Sequence, residues 1–222
     1  MAAPARSGFA LLVLTLTGSA FGGSVSGRVS IVEKKGGLAQ DLSDTVVYLQ
    51  GVKIGPHPTR ATMVMKGKSF MPHVVAIPIG GTVVFPNEDP IFHNVFSLSG
   101  DNRFDLDLYK RPKSGSWTFE HPGIARVYCN IHPQMSAVVV VVDSPFFAKA
   151  GTDGAFTIEG IPAGSYTLSA WHERGGETSA PVKVSAEGQT HADLVLDASQ
   201  FKKRPHLDKF GKDYSTHNSG VY

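Results

Sequence analysis

The sequence predicts an all-β protein built as two sandwiches, and three observations carry that reading. Apolar and polar residues alternate with a period of two through most of the chain, in runs rich in Val, Ile, Thr and aromatic residues. No stretch shows the helical repeat of apolar positions that an amphipathic helix needs. Turn residues, including 24 Gly and 14 Pro among 222 residues, break the runs at short intervals, as in sandwiches of short strands. Apolar residues at 41% against 18% charged can build a core and argue against general disorder.

The first segment is read apart from the fold. Arg6 precedes the apolar run FALLVLTLTGSAF, and the small residues Gly18 and Ala20 follow at its end. This is the pattern of a secretory leader, residues 1–20, cut after Ala20. The run falls short of the ~20 apolar residues of a membrane helix, and no cysteine follows it to carry a lipid. The chain is therefore expected to be exported, soluble and not membrane-spanning.

Strands follow at SVSGRVSIVE, DTVVYLQG, RATMVMKG, HVVAIP, GTVVFP, HNVFSL, SWTFE, ARVYC and AVVVVVD. The unbroken run Val138 to Val142 must be an interior strand buried on both faces, since an exposed run of this kind aggregates. Composition shifts near Ser144, and GAFTIEG, SYTLSAW, APVKVS and HADLVLD follow. Asp153-Gly154 signals a hairpin turn and IPAGSY a second reversal. Phe156 with Ile158, and Tyr166 with Leu168, mark half-buried strands.

From Phe201 the chain is a basic polar tail, 201–222, in which Lys202, Lys203, Arg204, Lys209 and Lys212 outnumber Asp208 and Asp213; it is expected to be solvated. The net charge of +2 rests on this tail and on Arg6, so the body is close to neutral and no nucleic-acid surface is expected.

The chain has one cysteine, Cys129, so no internal disulfide can form. In an exported protein an exposed thiol is open to oxidation, so Cys129 is either buried or has its sulfur occupied. In RVYCNIHPQM, His132 and Met135 follow it at steps of three. Upstream, His93 stands in PIFHNVFS, just past GTVVFPN. Two imidazoles, a thiolate and a distant thioether form the donor set of electron-transfer copper: sulfur favours Cu(I) and imidazole suits Cu(II).

Two resemblances follow from these motifs. The DGAF…PAGSYTL stretch resembles the carboxypeptidase regulatory-like, or transthyretin-like, sandwich. In that family the first strands read like SGRVSIV and DTVVYLQG, which here lie far upstream. The resemblance therefore implies a split sandwich, 21–55 and 145–200, with a second domain, 56–144, inserted; the alternative is two domains in simple tandem. Within that insert, Phe70, Pro72, Gly81, Val84, Phe85, Asn87, Asp89, His93, Asn94 and Val95, then Pro122, Gly123, Val127, Tyr128, Cys129, His132 and Met135, resemble the cupredoxins of amicyanin and plastocyanin type, with the short ligand loop of amicyanin-like members. The whole chain is similar to periplasmic cupredoxin-containing proteins labelled methylamine utilisation proteins. The implied fold is a cupredoxin Greek-key β-sandwich plus a smaller transthyretin-like one.

This resemblance implies one type 1 (blue) copper per chain, held by His93, Cys129, His132 and Met135. Asn94 would donate its backbone N–H to the sulfur while its side chain pins the ligand loop. His132 would be the electron exit, with Pro133, Pro90 and Ile91 as a docking patch. The implied function is a periplasmic carrier of single electrons, with a redox partner such as a cytochrome c or a periplasmic dehydrogenase. Copper enzymes of the family carry histidines beside the cysteine to reach a second copper. Here Tyr128 and Asn130 stand there, so the expectation is no enzyme.

The alternative is copper storage, delivery or sensing, for which Met63, Met65 and Met71 would be the feature; their spacing on a strand reads rather as core. His73, His121, His172 and His191 read as surface or edge-strand histidines. Glu88, Asp89, Asp105 and Asp107 either steer a basic partner or make loop hydrogen bonds.

Overall fold

A computed structural model describes residues 22–52, 58–203 and 205–214, so the expected leader lies outside the described residues. The fold is all-β, and its strands form two sandwiches. In the first, a five-stranded sheet runs in the order Val74–Pro78, Ser136–Val142, Gly123–Tyr128, His93–Ser99, Asn102–Tyr109. Val74–Pro78 pairs in parallel with Ser136–Val142, and the remaining neighbours are antiparallel. A three-stranded sheet of Ser114–Phe119, Gly81–Pro86 and Arg60–Thr62 faces it. Period-two alternation sends Val83 and Phe85 inward, onto Phe104, Phe119, Val127 and Val139. Trp117 stacks on Phe104 with ring centroids 5.1 Å apart, closing one side of this core.

Each sheet of the second sandwich joins one strand from the start of the chain to strands that follow Ser144. Gly23–Val32 pairs antiparallel with Ala155–Ile161 and in parallel with Gln189–His191 and Leu194–Asp197. Val46–Gln50 lies between Phe147–Lys149 and Gly164–His172, and Gly176–Val184 adds the edge. Val25, Ile31, Leu49, Phe156, Ile158 and Leu168 meet in its core. The hairpin at Asp153 needs glycine next: Gly154 has φ +80°, and a β-carbon there would lie 2.2 Å from the Val29 carbonyl oxygen. The second reversal is tied by Tyr166, whose hydroxyl donates to the Pro162 carbonyl at 2.9 Å.

The valine strand is buried on both faces, for two different reasons. Ala137, Val139 and Val141 enter the first core. Val138, Val140 and Val142, with Val74, pack against Val46, Tyr48 and Trp171 of the second sandwich. Charged groups border this seam. His73 Nε2 lies 2.7 Å from a Glu173 carboxylate oxygen, and Arg126 reaches the other oxygen at 2.8 Å. Among the described residues, no helix is long and apolar enough to cross a membrane.

Candidate metal centre

His93 opens the strand His93–Ser99 and Cys129 follows the strand Gly123–Tyr128, its neighbour in the five-stranded sheet. Adjacent strands thus bring together residues distant in sequence. After Cys129 the chain closes a short loop: Met135 N–H donates to the His132 carbonyl at 3.0 Å, and Cys129 N–H to the Met135 carbonyl at 3.2 Å. His132 is thereby turned back over the sulfur. Cys129 Sγ lies 3.9 Å from His93 Nδ1 and 3.6 Å from His132 Nδ1, and the two ring nitrogens are 3.1 Å apart. His93, Cys129 and Met135 are fully buried, and His132 is partly exposed. Met135 and Cys129 belong to the same core cluster.

His93 is oriented by a carboxylate four residues before it. Asp89 accepts from His93 Nε2 at 2.8 Å, which places the proton on Nε2 and leaves the Nδ1 lone pair facing Cys129 and His132. Asp89 is itself held by the N–H groups of Gly67 at 2.8 Å and Lys68 at 2.9 Å. Burial raises its pKa, but these donors and His93 outweigh it and hold the carboxyl below the ordinary value. Asn87 fastens the same loop, donating to the carbonyls of Ile91 and Tyr109. Of the two roles considered for Asp89, loop hydrogen bonding is the one it fills. Its contact with His93 is the feature that sequence reasoning missed. The i,i+4 placement was the available signal, but only the fold turns the carboxylate inward.

Asn94 N–H points at Cys129 Sγ from 3.4 Å. Its side chain does not reach the ligand loop. It donates to Asp105 Oδ1 at 2.7 Å and to the Asp107 carbonyl at 3.0 Å, fastening the neighbouring strand. The reason is direction: along a strand the side chain leaves the backbone on the face opposite that of His93. Burial pushes the Cys129 thiol up and the His132 imidazole down, the latter helped by His93 and Lys68 nearby.

The tail does not behave as a solvated segment within its described part. Tyr214 donates its hydroxyl to the Cys129 carbonyl at 2.8 Å. His206 stacks on Tyr128 with centroids 4.1 Å apart, and Lys209 N–H donates to Asn130 Oδ1 at 2.9 Å. Lys209 also binds Asp105 at 2.6 Å, and Asp208 is fully buried. The tail therefore covers both residues that flank Cys129.

The remaining candidates separate cleanly. Met63 and Met65 are fully buried in the first core and Met71 is exposed, so they do not form a thioether cluster. His121 and His191 are exposed. His172 is buried, contrary to expectation, because its strand lies at the seam; its Nδ1 accepts from Arg174 N–H at 3.2 Å. His73 is half-buried in the Glu173 contact. Pro133, Pro90 and Ile91 are exposed, and Pro90 and Ile91 line a cavity of about 420 Å³ beside His132, together with Phe92, Ile131, Lys68 and Lys110.

The donor set fits a single soft or borderline ion. One sulfur and two imidazole lone pairs lie within 4.8 Å of one another, spacings that let all three bind one centre at ~2.0–2.3 Å. Oxygen donors, which hard cations favour, are not part of the set.

A family model described as polysaccharide lyase family 4, domain II, matches residues 134–192. No curated protein matches the chain. Among solved structures, the chain is similar to a Cu-containing nitrite reductase from Thermus scotoductus SA-01, with 31% identity, 43% of this chain and 26% of that chain covered, and a TM-score of 0.36. It thus spans about a quarter of that enzyme's length. It is also similar to amicyanin from Paracoccus versutus, with 20% identity, 43% and 97% covered and a TM-score of 0.35. For the reduced Cu(I) form of an amicyanin point mutant at pH 4 the values are 19%, 43% and 98%, and 0.35.

Proposed function

We propose that this chain is a type 1 copper protein that carries single electrons between redox partners. The observation that carries the reading is the convergence of Cys129 Sγ with two Nδ1 atoms in a largely buried pocket, with Asn94 N–H aimed at the sulfur. His93, Cys129 and His132 would hold one copper, with the Met135 thioether as a weaker fourth donor. Bound copper supplies a Cu(II)/Cu(I) couple. The protein's part is to keep the donors in one arrangement through both states. Asp89 fixes the His93 ring, Asn94 tempers the charge on sulfur, and the Cys129 to Met135 loop is closed by its own backbone bonds.

Carrier rather than catalyst is the reading that Tyr128 and Asn130 support, since both are engaged with the tail and neither is a metal donor. The export pattern of residues 1–20 supports a periplasmic location, with a cytochrome c or a periplasmic dehydrogenase as the class of partner. We read residues 56–144 as inserted into a sandwich formed by 21–55 and 145–200. The pairing of Gly23–Val32 with Ala155–Ile161 supports that division.

The test is spectroscopic. Cu(II) added to the purified chain should give an intense blue charge-transfer band and narrow copper hyperfine splitting in EPR, and Cys129→Ser should abolish both. A colourless complex with wide splitting would overturn the reading.

A further inference from the structure

Of the four donors, His132 alone is partly exposed, so electrons that leave the site by the shortest route leave beside it. The surface there has two components. The first is apolar: Pro90, Ile91, Phe92 and Ile131 line the cavity next to His132, and Phe92 is 44% exposed, large for an aromatic ring with no covering element. The second is charge. Lys68 and Lys110 line the same cavity, and Lys110 Nζ stands 5.2 Å over the Phe92 ring. Arg111 and Lys113 follow Lys110 in the same exposed turn.

The carboxylates near this face are engaged elsewhere or lie off the cavity: Asp107 is exposed on the strand Asn102–Tyr109 but does not line it. Glu88 pairs with Lys66 at 3.0 Å. Asp89 is turned inward onto His93 and the N–H groups of Gly67 and Lys68. Asp105, considered above as a steering group for a basic partner, is bound by Asn94 and Lys209. The rim around the exit is therefore cationic, although the chain's body is near neutral.

We propose that this face docks a redox protein whose contact surface carries carboxylates around an apolar centre. The apolar residues give close contact and the lysines select and steer the acidic partner; a lysine-ringed partner is repelled. The proposal rests on the copper reading.

The test uses the copper-loaded full chain and the variant with Lys68→Glu and Lys110→Glu, both first checked for the blue band. In one arm the reduced protein gives one electron to hexacyanoferrate(III), which becomes hexacyanoferrate(II). In the other, hexaammineruthenium(II) gives one electron to the oxidised protein. The native chain should react faster with the anion at low salt and lose that advantage as salt rises. The variant should lose about tenfold or more with the anion and gain with the cation. Poly-L-glutamate should slow the native reaction with the anion and poly-L-lysine should not. Redox-inert hexacyanocobaltate(III) should shift the amide signals of Lys68, Phe92 and Lys110.

Absence of the blue band would defeat the copper reading itself. A blue protein whose rates ignore both charge reversals, or which poly-L-lysine inhibits instead, would overturn the docking proposal alone.

Discussion

Asp89 decides which nitrogen of His93 can face Cys129, and it does so as a full acceptor. Its Oδ2 receives both the ring N–H and the Lys68 amide, while Oδ1 receives the Gly67 amide. An amide in its place keeps one acceptor oxygen and presents an NH₂ group where acceptance is needed. Asp89→Asn should therefore weaken copper binding by about ten- to a hundredfold, measured by competition with a chelator of known affinity. Unchanged affinity would show that His93 is held by its strand alone. Cys129 and His132 were legible as candidates because their spacing and donor chemistry are local, whereas His93, far upstream, was marked only by the motif around it. Asp89 was not legible as a partner of His93. Its direction is set by amides of the 66–69 hairpin, which reach it from a different part of the chain.

At the level of elements, segment 205–214 behaves as a strap. It is pinned by separated single contacts: His206 on Tyr128, Lys209 on Asn130, and Tyr214 on the Cys129 carbonyl. Within it, Asp208 Oδ1 accepts from the N–H groups of Phe210 at 2.9 Å and Lys212 at 2.7 Å, which folds the strap into a turn. Because the anchors are isolated among lysines, composition reads the segment as solvated. Tyr214→Phe removes one donor to a backbone carbonyl and should cost about 1 kcal/mol in urea unfolding. Removal of residues 205–222 should raise amide exchange across 126–131 and leave 23–32 unchanged. Equal exchange in both segments would mean the strap contributes nothing to the Cys129 strand.

The whole molecule is joined along one apolar seam with a charged border. Full burial of a valine is worth about 1.5–3 kcal/mol, and Val138, Val140 and Val142 all contribute. The His73–Glu173 pair, with side chains 37% and 28% exposed, is worth no more than about 1 kcal/mol. The seam therefore holds the sandwiches together and the ion pair tunes the join with pH. The hydrogen bond to Glu173 raises the His73 pKa, against burial, and the same bond lowers that of Glu173.

The sign follows from these directions. The His73 contribution is complete below its ordinary 6.5 and disappears as pH rises through the raised folded value. The Glu173 contribution is complete above its ordinary 4.5 and disappears as pH falls through the lowered folded value. Native protein should thus exceed His73→Gln in stability most between those ordinary values of 4.5 and 6.5, and the gap should close on both sides. Urea midpoints across pH check this, and a gap independent of pH would refute it.

The sequence by itself determined the all-β class, most of the strands though not Asn102–Tyr109 or Phe147–Lys149, the two-faced burial of the valine run, and the thiol and two imidazoles that meet at the candidate site. These are written in local alternation, local composition or short spacing, except His93, which its own motif marked at a distance from Cys129. Tertiary structure alone decided what covers the outer valine face, which carboxylate holds His93, where the Asn94 side chain goes, and that the tail returns to Cys129. Those outcomes depend on contacts between segments far apart in the chain. A local pattern specifies which face of an element must be buried, but the partner that buries it is chosen by the packing free energy of the assembled sheets.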